Sequence, residues 1–175
     1  MPEPEKMSLV MFSGDLDHAL AGFMLANTGA SMGMEVSMFF TFWGLNIIKK
    51  NEPIKTKGFL KRMLNFMNRG GTRRLKMSKF HMMGMGTGMM KGMMKDLKIP
   101  SIDEFIVMAK AQGVKMYACT TSCGLMGLCE TSFREEVNEL VGAAFFLGAG
   151  FFSSSSSASS SLACSMSSRI FLYSW

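Results

Sequence analysis

The chain has 175 residues, 48% hydrophobic and 18% charged, with a net charge of +6, the composition of a rather apolar globular chain. That length suits one domain with a sizeable core. The charge is uneven: eleven Lys or Arg but only one acid, Glu52, lie between Lys49 and Lys79. Such a patch suits an anionic membrane or an acidic partner protein. No base-stacking aromatic motif or zinc spacing accompanies it, so nucleic acid is not among the expected partners.

The opening MPEPEK is polar and acidic and leads straight into an apolar run. It lacks the basic and small-residue features of a secretory signal, so a reducing cytoplasm is the expected compartment, where structural disulfides are rare. Met7 to Phe12 reads as a buried parallel strand ending at Ser13-Gly14-Asp15. Asp15 or Ser13 can cap the helix that follows, which places Leu16, Leu20, Phe23 and Met24 on one face and stops by Gly33. Val36 to Thr41 is a second buried strand, and FWGLNIIKK opens a short helix. Ala19–Met34 and Val36–Ile48 carry no charge. The first of these runs falls short of the ~20 apolar residues of a membrane span and holds Asn27, Thr28, Ser31 and three glycines, so it reads as a buried helix.

Phe59 to Met67 shows helical spacing of Leu60, Met63, Leu64 and Met67. Eight of the chain's 21 methionines fall between Met77 and Met94. Their thioethers suit Cu(I), but methionine is also the adaptable filler of docking surfaces, and no metal site is assigned. Alternating Gly84, Gly86 and Gly88 predict a flexible loop there before any helix forms. Ser101-Ile102-Asp103-Glu104, after Pro100, opens a helix ending near Gly113. Val114 to Ala118 follows as the third strand and Val137 to Val141 as a fourth. Strands alternating with helices imply a parallel sheet covered on both faces.

In such folds reacting groups gather outside the carboxyl ends of the strands. Ser13-Gly14-Asp15, Phe42-Trp43-Gly44 and Cys119 all fall there, with Thr120, Thr121 and Ser122 adding hydroxyls. A thiol at a strand end with a helix starting behind it has a lowered pKa and becomes a reactive thiolate. The alternative is a small buried residue, since free cysteine is among the most buried types. Cys123 follows four residues later and, in a helix, would share a face with Cys119 as a resolving thiol. A zinc site is disfavoured because CxxxC has no second pair or nearby His, and His18 and His81 each stand alone.

Several stretches carry a resemblance: SGDLDHALAGFMLANTGASMGMEVSMFFTFWGL, KMSKFHMMGMGTGMMKGMMK, SIDEFIVMAKAQGVKMYAC and the SxxxMG after it. The sequence resembles the DsrE/DsrF-like family of small sulfur-handling proteins, in its peroxiredoxin-like branch, over residues 7 to 147. The resemblance implies an α/β fold, a three-layer α/β/α domain with a parallel sheet of about five strands, flavodoxin- or Rossmann-like, usually assembled as a homo-oligomer. It implies sulfur relay without a cofactor: Cys119, at the family's cysteine position, accepts sulfane sulfur as a persulfide from a donor protein or low-molecular-weight thiol and passes it to a partner thiol. Ser13, Gly14, Asp15, Phe42, Trp43, Gly44, Thr120 and Ser122 are the candidate pocket. Two further readings stay open: a non-catalytic or membrane-associated module using segment 49–95, and a thiol peroxidase.

Two departures from the family stand out. Relatives usually carry methionine and an acid where this chain has Cys123 and Gly124. Residues 148–175 are expected to be a Ser-rich tail, poorly ordered or diverged, with eight serines among the nine residues Ser153 to Ser161, the composition of a linker or of disorder. Within it, Arg169 to Tyr173 is the one stretch able to supply a final strand.

Overall fold

The structure, a computed structural model, describes residues 5–51, 70–72, 75–76, 78, 85–152 and 168–173. The helix expected over Phe59–Met67, most of the basic segment and the Ser-rich run lie outside the described residues.

In short strands of three to six residues, the chain builds a parallel sheet. Strands β1 (Lys6–Met11), β2 (Glu35–Phe40), β3 (Lys115–Cys119) and β4 (Glu139–Val141) stand side by side, and β5 (Ser168–Tyr173) adds to the far side of β1. The resulting order is β4-β3-β2-β1-β5, parallel at every pairing. Met7 pairs with Val36 and with Arg169 on its two sides, and Cys119 pairs with Val141.

Alternation along the strands sorts the side chains into two layers. Met7, Leu9 and Met11, Val36, Met38 and Phe40, and Val114, Met116 and Ala118 join the main core, in which Leu9, Met11, Phe23, Met38, Phe40 and Met116 are fully buried. Each such side chain contributes roughly 1.5–3 kcal/mol of burial. Helices α1 (Leu16–Ser31) and α4 (Ile102–Ala111) cover this face. Gly22 lets α1 approach the Met11 and Met38 side chains, and Asn27 ties it to α4 by donating to the Phe105 carbonyl at 3.3 Å. Helix α4 starts as the sequence indicates. The Ser101 hydroxyl accepts from the Glu104 amide at 3.4 Å, and the Glu104 carboxylate accepts from the Ser101 amide at 2.7 Å.

The other face carries Val10, Phe39, Tyr117, Cys119 and Val141 and is covered by α6 (Ala143–Phe152), whose Phe146 stacks on Phe39 at 4.8 Å. The chain steps from β1 to β4 in one direction and then returns past β1 to place β5. Right-handed crossovers therefore put α6 on the face opposite α1 and α4, which completes three layers. Helix α6 spans position 147, and β5, which includes the candidate stretch Arg169–Tyr173, pairs with β1.

Short helices α2 (Leu45–Ile48) and α5 (Thr120–Met126) follow β2 and β3, while α3 (Met85–Asp96) precedes α4. The stretch with alternating Gly84, Gly86 and Gly88 reads as a loop, yet Gly86 and Gly88 lie inside α3. Met94 is buried and Met90 and Ile99 pack against the core, so tertiary burial outweighs the ~1 kcal/mol each helical glycine costs. Among the described residues no helix is long and apolar enough to cross a membrane.

Candidate functional site

The loops after β1 and β2 are locked together by backbone contacts. The Gly44 amide donates to the Phe12 carbonyl at 2.9 Å, and the Thr41 amide donates to Met11 at 2.9 Å. A Cβ on Gly44 would lie 2.1 Å from the Met11 carbonyl oxygen, and one on Gly14 would lie 2.6 Å from that of Trp43. Only glycine permits so close an approach. The same turn holds Phe42 at φ +46°, an unfavourable conformation for a bulky residue, and leaves Phe42 and Trp43 about half exposed.

Cys119 is the last residue of β3 and caps α5 with extended backbone, φ −71° and ψ 118°. It is buried, at 5% exposure, beside Phe39, Val141 and Phe146. Burial pushes its thiol pKa up. The amide and hydroxyl of Ser122, the hydroxyl of Thr41 and the amide of Thr121 more than offset this, so the pKa is lowered overall. Thr41 and Ser122 are themselves linked, their hydroxyl oxygens 2.8 Å apart. Two strand ends thus contribute donors to one sulfur, the arrangement that favours a thiolate.

Cys123 behaves in the opposite way. Burial, reinforced by the charges of Cys119 and Cys129, pushes its pKa up to about 12. Its side chain belongs to the main core, whereas Cys119 belongs to the cluster under α6. The expectation that both thiols share a helical face does not hold, because Cys119 lies in the strand and helical geometry begins only at Thr120. Cys129 is exposed.

The remaining predicted positions divide. Ser122 lies under Cys119, and Thr120 is exposed, its hydroxyl about 4.0 Å from where a Cβ on Gly142 would sit. Ser13 and Asp15 form a separate cluster at the end of β1. The Ser13 hydroxyl donates to Asp15 at 2.7 Å and lies 3.2 Å from His18 Nδ1, which is 3.7 Å from the Asp15 carboxylate. His18 is therefore no solitary residue; its spacing of three from Asp15 in the first turn of α1 was the available signal. Thr41 was overlooked as well, although a hydroxyl at the carboxyl end of a strand is the kind of group the fold gathers there.

Lys49, counted in the basic patch, is buried at 2% exposure, and burial lowers its pKa. A cavity of about 220 Å³ opens at the amino end of the sheet, lined by Lys6, Glu35, Lys115, Tyr117 and Phe146 among others. It meets the Cys119 cluster only through Tyr117 and Phe146 and lies away from the strand ends where the hydroxyls converge. Among the described residues, no three His, Cys, Asp or Glu side chains are grouped to hold a metal.

The sequence profile of the DsrE/DsrF/DrsH-like family matches residues 3–153. The chain is 38% identical over 149 residues to the uncharacterized protein YrkE of Bacillus subtilis, covering 84% of this chain and 92% of that one. It is 33% identical over 157 residues to the sulfur carrier protein DsrE2 of Allochromatium vinosum, covering 85% and 94%.

Proposed function

The chain belongs to the DsrE/DsrF/DrsH-like family, and from that premise we propose that it is a sulfur-relay protein carrying sulfane sulfur as a persulfide on Cys119. The observation that carries the proposal is the placement of Cys119 at the end of β3 and the start of α5, against the linked hydroxyls of Thr41 and Ser122, a setting that lowers its pKa. The sulfur-carrier name of one relative supports it.

The Cys119 thiolate attacks the outer sulfur of a donor persulfide. A bond forms to Sγ, the donor's S–S bond breaks, and its electron pair leaves with the donor thiolate. In the second half, an acceptor thiolate attacks the outer sulfur of the Cys119 persulfide and Cys119 leaves as thiolate. Neither half needs an oxidant or reductant. The Ser122 and Thr121 amides and the Thr41 hydroxyl serve both halves, since they favour negative charge on the attacking and the departing sulfur. Cys123, neutral at physiological pH, is not a competent nucleophile toward the persulfide, and sulfur leaves through a partner.

The partners are sulfur donors and acceptors, either proteins or low-molecular-weight thiols. Met24 and Leu25 of α1 and Val107 and Met108 of α4 are exposed on one helical layer, which supports assembly as a homo-oligomer.

Mass spectrometry after incubation with thiosulfate, polysulfide or glutathione persulfide tests the relay. One added sulfur atom mapped to Cys119, absent in Cys119→Ser and transferable to a thiol, is the expected result. Sulfur mapped to Cys129 alone, or none bound, overturns it.

A further inference from the structure

Helix α3 is amphipathic in an unusual sense: its outward face is apolar. Met85, Met89, Met93 and, just beyond the helix, Leu97 are 70%, 69%, 50% and 67% exposed. They recur every four residues, so each advances only about 40° around the axis and together they form one stripe. The adjoining face, about 100° further round the axis, already has its partners, because Met94 is buried and Met90 packs against the core. Lys95 and Lys98 are exposed at the end of the stripe, and the sequence before the helix carries ten Lys or Arg from Lys50 to Lys79.

We propose that α3 is an interfacial anchor that seats this stripe in the surface of an anionic phospholipid bilayer. Apolar side chains on a convex helix, bordered by lysines, fit the headgroup boundary: thioethers enter the acyl region and ammonium groups meet phosphates. A protein partner fits less well, because α3 offers no Trp, Tyr or Arg to act as a binding hot spot, while its exposed lysines match anionic headgroups. Asp96, the helix's one acid, is its last residue, so insertion is deepest toward Met85 and Met89. The anchor holds the domain at the membrane without a spanning segment, and it does not depend on the chemistry of Cys119.

Co-sedimentation with phosphatidylcholine vesicles, with and without phosphatidylglycerol, tests the anchor. The full chain binds the anionic vesicles and not the neutral ones, and Cys119→Ser binds equally well. Met85→Ser/Met89→Ser/Met93→Ser loses on the order of 10-fold or more in partitioning, since three exposed side chains no longer transfer to the interface. Met89→Trp shows a blue shift in added tryptophan emission on anionic vesicles. Three results overturn the proposal: no binding to anionic vesicles, binding unchanged in the triple serine variant, or dissociation of an oligomer by that variant. The last would mean that a second copy covers the stripe.

Discussion

The hydroxyls of Thr41 and Ser122 lie 2.8 Å apart although 81 residues separate them in the chain. The pair also lies against Cys119, where it favours the thiolate and lowers the pKa against the opposing effect of burial. Thr41→Val and Ser122→Ala should each raise the Cys119 pKa, and the pair should raise it further. The pH dependence of alkylation reads this directly: the midpoint moves to higher pH in each variant. A depressed folded-state pKa also contributes stability that is present above the unfolded thiol's pKa and is lost as pH falls through the folded value. The variants should therefore lose stability at alkaline pH and little near neutrality.

Cys119 and Cys123 should separate by pH. Cys119 should keep its alkylation rate to lower pH than an ordinary cysteine, because its thiolate persists there. Cys123, with a pKa pushed up to about 12, should stay unlabelled in the native protein. Peptide mapping after short labelling across a pH series would show it. Labelling of Cys123 ahead of Cys119 at neutral pH would refute the assignment.

Cys123→Ser should leave the lifetime of the Cys119 persulfide unchanged, since a neutral thiol in the other side-chain layer does not attack it. Decay of the persulfide is compared in the two proteins. A longer lifetime in the variant would show that Cys123 resolves the persulfide to a disulfide.

Gly44→Ala should cost about 2 kcal/mol or more, because its Cβ would lie 2.1 Å from the Met11 carbonyl and the two loops would have to part. Urea unfolding measures the loss. The same displacement moves Thr41, so Cys119 should also titrate at higher pH.

Truncation after Phe152 removes β5 and leaves β1 as an unpaired edge. Losing six paired residues should cost on the order of 3 kcal/mol and promote association through the bared strand. The urea midpoint and light scattering report the two effects. An unchanged midpoint would mean that the tail contributes no strand.

By itself the sequence determined the alternation of strands and helices. Continuous apolar runs such as Met7–Met11 and a capping box at Ser101 and Glu104 are local signals that act within one element. It also determined that Cys119 stands at the end of a strand with a helix starting behind it, because that boundary is written in adjacent residues. The family motifs were legible on the same terms.

Only the tertiary structure decided what surrounds that thiol. Thr41 meets Ser122 because β2 and β3 are neighbours in the sheet, a pairing that no local pattern encodes. The separation of Cys119 from Cys123 followed from where the strand stops, since a single residue of extended backbone sends the two side chains into different layers. Lys49 counted in the basic patch and is buried, and Gly86 and Gly88 read as loop and are helical. In each case a weak local preference, worth about 1 kcal/mol, gave way to packing against residues far along the chain.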